Sequence, residues 1–119
     1  MKSKGRAMRE PTFHILTALA DRPRYGYDVI AEVARLSEDR VKLQAGTLYA
    51  ALDRLSDERL IGVDREEVVG GRLRRYYRLT DAGGAALAAE VERMRHDATE
   101  AEKRLRTGGR WAGGEVALS

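Results

Sequence analysis

Between Gly46 and Thr80 the hydrophobic period changes once and the charge balance changes once, and together these limit what the chain can fold into. Leu48, Leu52 and Leu55 recur at helical spacing with Ala51 beside them, which makes one helix face apolar. Thr47, Tyr49, Ala50, Asp53 and Arg54 are left for the other side. Gly46 or Thr47 suits the cap of this helix. From Ile61 the pattern becomes extended. Ile61-Gly62-Val63 starts a strand, Asp64 to Glu67 is charged, and Val68-Val69 leads into Gly70-Gly71. Two glycines between strands tolerate positive φ and signal a hairpin. The return strand places Leu73, Tyr77 and Leu79 on one face, interrupted by Arg75, and Arg72, Arg74, Tyr76 and Arg78 on the other. One face is expected to meet the core and the other to be cationic. Cross-strand acids can neutralise part of that charge, while arginines beside the glycine tip keep theirs.

The segments before this stretch read as scaffold. Residues 1–10, with Lys2, Lys4, Arg6 and Arg9, form a flexible basic arm. Pro11 suits a first helical turn, and Phe13, Ile15, Leu16 and Leu19 supply an apolar face. That helix should stop at Asp21 to Pro23. A second helix opens around Tyr25-Gly26-Tyr27 and carries Val29, Ile30, Val33 and Leu36. Val41 and Leu43 alternate with Lys42 and Gln44, which predicts a short strand.

Beyond Thr80 the pattern is the most regular in the chain. Thr80 followed by Asp81 signals a helix start, with a capping hydroxyl and then an acid favoured by the helix dipole. Leu87, Val91, Met94, Ala98, Ala101 and Leu105 then follow at steps of 4, 3, 4, 3 and 4, a heptad seam. A single narrow apolar stripe must be buried against something, and a second copy of the helix is the expected partner. The two alanines contribute little burial, so further contacts are needed. Residues 108–119 form a flexible glycine-rich tail holding Trp111, the one tryptophan.

Composition excludes several classes. The chain has 119 residues and no cysteine, which rules out disulfides and thiolate zinc sites. His14 and His96 have no ligand-like spacing, and neither metal nor cofactor is expected. No apolar run approaches the ~20 residues of a membrane span, and no signal-peptide core is visible, so the expected location is cytoplasmic. The net charge of +3 permits nucleic-acid binding without demonstrating it. No nucleophile stands with a base at motif spacing, and no phosphate-binding glycine motif precedes a helix, so an enzyme is not expected.

The expected architecture is mainly α with a small β-hairpin wing: a winged helix-turn-helix over residues 11–80, then a C-terminal dimerisation helix over 81–107. The expected partner is double-stranded DNA. Candidate contacts are Gln44, Thr47, Tyr49 and Arg54 around the third helix, with Gly70, Gly71, Arg72, Arg74, Arg75 and Tyr76 in the wing. Tyr49 has two readings from sequence, groove contact or packing against the neighbouring helix. The alternative function is a winged-helix protein-interaction module without an operator of its own.

Three segments, YGYDVI at Tyr25 to Ile30, GTLYAALDRL at Gly46 to Leu55 and GGRLRRYYRLTDAG at Gly70 to Gly83, resemble the PadR family of bacterial transcriptional regulators. The resemblance covers about residues 11 to 106. It implies a homodimeric repressor of the short subfamily, bound to a palindromic operator and, in many members, released by a small aromatic effector. On this basis Gly46, Thr47, Leu48 and Tyr49 match the start of the recognition helix. Gly70, Gly71, Arg72, Arg74 and Arg75 match the wing, and Leu87 to Leu105 the dimer helix. Two departures stand out. Ala50 occupies the position after the tyrosine where the family commonly has proline. The seam is aliphatic where drug-sensing relatives have an aromatic lining a ligand pore, which argues against sensing by that route.

Overall fold

A computed structural model describes residues 7–108. The first six residues of the basic arm, and the tail with Trp111, lie outside the described residues. The elements run α1 (Glu10–Ala20), β1 (Arg24–Tyr25), α2 (Gly26–Leu36), α3 (Ala45–Asp57), β2 (Ile61–Val69), β3 (Arg72–Leu79) and α4 (Asp81–Thr107). They divide into two compact units, the first ending at Leu87 and the second beginning at Ala88 within α4.

In the first unit, the apolar stripes of three helices close on one core. Ile15 and Leu16 of α1, Val29 and Val33 of α2, and Leu48, Leu52 and Leu55 of α3 are all fully buried. Ile61 and Tyr77 extend that core to the base of the hairpin. Burying a leucine or isoleucine of this kind stabilises by roughly 1.5–3 kcal/mol, so the leucines of α3 fix which of its faces remains outside. After α2 the chain reverses through Glu38 and Asp39, both left-handed at φ +54° and +67°. The Asp39 N–H donates to Ala34 O at 2.7 Å, and the Val41 N–H to Ser37 Oγ at 2.9 Å.

Two sequence expectations fail here. Val41 to Gln44 forms no strand: Val41 is buried, and its N–H is taken by a side chain instead of a sheet partner. The third strand is instead β1, which pairs antiparallel with β3 through Arg24↔Tyr77 and Tyr25↔Tyr76. The cap of α3 is Gln44, not Gly46 or Thr47, and its side chain makes no capping hydrogen bond. The helix therefore starts two or three residues earlier than expected, which places Leu48 within its first turn.

The sheet order is β1-β3-β2. Gly70 and Gly71 turn at φ +59° and +79°, a conformation that costs glycine little and other residues more. Thr80 alone separates β3 from α4. Its hydroxyl accepts the Gly83 N–H at 3.0 Å, as expected of a cap, and donates to Arg59 O at 2.8 Å.

The second unit is the remainder of α4. Arg93 pairs with Glu90 and also lies 3.2 Å from Asp97, and Lys103 lies 3.2 Å from Glu100. Along the seam Met94 is 44% exposed, and Ala98 and Ala101 are exposed. Among the described residues, no helix is long and apolar enough to cross a membrane.

Candidate nucleic-acid interface

Because Leu48, Leu52 and Leu55 point inward, the first turns of α3 present Gln44, Gly46, Thr47 and Ala50 outward, all exposed. Tyr49 is 42% exposed, and its ring leans on the neighbouring helix, which is the packing reading. Its hydroxyl lies over Gly26 at the start of α2, where a Cβ would stand only 2.1 Å away. Burial pushes its phenol pKa above the ordinary value. Arg54 is drawn elsewhere: its guanidinium donates to Thr12 Oγ1 of α1 at 3.3 Å and lies 3.9 Å from Glu58.

The hairpin places its arginines in unequal surroundings. Arg74 stacks over the Tyr25 ring at 4.3 Å, and Tyr25 meets Tyr76 edge-on at 5.5 Å. Arg65 covers Tyr76 at 3.9 Å, and the Tyr76 hydroxyl donates to Glu67 at 3.1 Å. Stacking fixes Arg74 without neutralising it. Arg75 Nε donates to Glu66 Oε2 at 2.8 Å, and that carboxylate raises the guanidinium pKa above its ordinary value. Among the described residues neither Arg72 nor Arg74 has a carboxylate partner. Leu73, expected to face the core with Tyr77, is 58% exposed, and among the described residues nothing buries that side of the distal hairpin.

A cleft of about 160 Å³ separates α3 from the hairpin, and Tyr25, Tyr27, Tyr49, Arg72, Arg74 and Arg75 line it. Of the candidate residues, Tyr49, Arg72, Arg74 and Arg75 converge on this cleft. Gly70 and Gly71 form the hairpin tip, Gln44 and Thr47 lie on the outer start of α3, Tyr76 packs on Tyr25, and Arg54, later in α3, turns away toward Thr12 of α1. Tyr25 and Tyr27 were not among the candidates. The signal for them was the Tyr-Gly-Tyr triplet, which was legible as a helix start but not as part of a surface. Tyr27 is 61% exposed.

His14 is buried on α1 with Nε2 3.3 Å from Glu10 Oε2. The described residues contain no cluster of three or more His, Asp or Glu able to hold a metal.

Three helices followed by an antiparallel basic hairpin define a winged helix-turn-helix protein, and α3 and β2–β3 hold the places of its recognition helix and wing. Residues 15–89 match the transcriptional regulator PadR-like family, and the chain belongs to it. It is 39% identical over 87 residues to transcriptional regulator Rv3488 of Mycobacterium tuberculosis, covering 73% of this chain and 78% of that one. A PadR family transcription regulator from hypervirulent Clostridium difficile superposes with a TM-score of 0.64 at 27% identity, over 82% of this chain and 99% of the other. Bacillus subtilis PadR in complex with operator DNA superposes with a TM-score of 0.60, also at 27% identity, over 68% of this chain and 45% of that longer one.

Proposed function

We propose that the chain is a homodimeric repressor that binds a palindromic DNA operator. The observation that carries this is the cleft, where Tyr49 of α3 faces the same space as Arg72 and Arg74, two arginines with no carboxylate partner among the described residues. In this reading α3 enters a major groove with Thr47 and Tyr49 near the base edges, and the wing arginines hold flanking phosphates. The similarity to Bacillus subtilis PadR, whose structure contains operator DNA, supports the assignment.

The seam on α4 supports a second copy as partner. Val91, Met94, Ala98, Ala101 and Leu105 form an apolar line in which Met94 and both alanines are exposed. Two-fold pairing of such lines is self-complementary and would match two inverted half-sites. Light scattering is expected to give a dimer, and Met94→Glu is expected to shift it toward monomer. A gel shift against DNA flanking the protein's own gene tests the operator, and a panel of aromatic compounds added to the same assay tests for an effector. A wild-type monomer without affinity for any duplex would defeat this function in favour of a protein-interaction module.

A further inference from the structure

The Glu66–Arg75 pair is a product of the hairpin's irregularity. Pairing runs regularly from Ile61↔Leu79 to Val63↔Tyr77, then slips, so that Arg65 faces Tyr76 and Glu66 faces Arg75. Without the slip, regular pairing would set Arg65 opposite Arg75, two like charges, and would leave Glu66 opposite Arg74. Bulges of this kind re-aim side chains along the rest of a strand. Here the bulge brings a carboxylate to an arginine that lines the cleft. The Arg75 and Glu66 side chains are 49% and 44% exposed, so a phosphate can reach the pair.

We infer that Glu66 restrains DNA binding by competing with a backbone phosphate for Arg75. The inference rests on the DNA-binding reading above. While Arg75 holds Glu66, the pair presents no net charge to a duplex. If a phosphate displaces Glu66, the carboxylate is left beside the polyanion and offsets the contact just made. On either route the pair releases about one counterion fewer than an unaccompanied arginine would. Arg72 and Arg74 carry no such restraint, so Glu66 sets the strength of the wing's grip without altering the groups that reach for DNA.

Glu66→Gln keeps an oxygen that can accept from Arg75 and removes only the charge. The probe is a labelled duplex selected by the wild-type protein from a random-sequence pool, titrated by fluorescence anisotropy at several salt concentrations. Glu66→Gln is expected to bind more tightly, with the slope of log K against log salt steeper by about 0.9. Arg75→Gln is expected to lose more affinity and more slope in the Glu66→Gln background than in wild type. Unchanged or weaker binding by Glu66→Gln, with an unchanged slope, would reduce Glu66 to a strut of the hairpin and overturn the inference. A wild-type protein that selects no duplex from the pool would instead remove the DNA-binding reading on which it rests.

Discussion

The hydroxyl of Tyr49 occupies the space where a side chain on Gly26 would begin. A Cβ there would stand 2.1 Å from the oxygen and 2.7 Å from Cζ. The start of α2 thus packs against the one aromatic of α3. The clash is with the far end of a side chain, which can swing away. Gly26→Ala is therefore expected to fold with stability within about 1 kcal/mol of wild type, helped by alanine's better helix propensity. Tyr49 should move outward, and its phenol should titrate at lower pH as burial is relieved. Absorbance titration against a Tyr49→Phe control measures this, and an unchanged titration would show that Tyr49 stays in place.

Gly83 faces a different obstacle. A Cβ would meet Leu60 O at 2.0 Å and Leu79 Cδ1 at 2.8 Å, and that backbone carbonyl also accepts the Thr80 N–H. It cannot retreat without breaking the joint between β3 and α4. Gly83→Ala should cost about 2 kcal/mol or more in urea denaturation. Gly84→Ala, whose nearest neighbour would be Leu79 Cδ2 at 3.9 Å, should be neutral or stabilising by up to about 1 kcal/mol. Equal effects at the two positions would contradict the packing described.

Arg24 is 5% exposed and fully engaged. Its Nε donates to Ala18 O at 2.7 Å and its Nη1 to Asp28 Oδ1 at 2.9 Å. Arg24→Met would roughly preserve volume but strand the Ala18 carbonyl and leave the Asp28 carboxylate only Arg22, 3.6 Å away. The expected loss is about 3 kcal/mol, read as a lower denaturation midpoint. A loss below about 1 kcal/mol would place the pair in the weak class of surface bridges.

Arg74 is predicted to act on DNA through charge alone. Arg74→Ala should weaken binding across sequences and flatten the salt slope by roughly one unit or less. Arg74→Lys should keep most of the slope while losing the stacking on Tyr25. Salt titrations of the three proteins separate these outcomes, and an unchanged Arg74→Ala slope would remove Arg74 from the interface.

The three helices of the first unit were legible because Ile15, Leu16, Val29, Val33 and the leucines of α3 repeat over several turns, long enough for a period to emerge. The hairpin was legible from Gly70-Gly71 for a similar reason: both glycines take the positive φ that a tight reversal needs. β1 was not legible, since two residues cannot display a period and Arg24 looks like a surface charge until its partners are known. Val41 to Gln44 alternates like a strand, yet what holds it is the Ser37 hydroxyl. Alternation assigned Leu73 to the face of Tyr77 but could not say where that face ceases to be covered. The Glu66–Arg75 pair depended on a bulge that nothing in Ile61 to Glu67 announces.

Arg24 gives its backbone to the sheet and its side chain to α1 and α2, and this has a mechanical consequence for the hairpin. The strand from Tyr77 out to Arg72 spans about 17 Å at the usual rise of about 3.3 Å per residue. Its inner end is held by the β1–β3 pairing, which would act as the fulcrum of any tilt. A rotation of about 10° there would carry the tip by roughly 3 Å, about the length of one hydrogen bond. If the wing reaches DNA as proposed, the buried end of the hairpin would set how closely the tip approaches a phosphate.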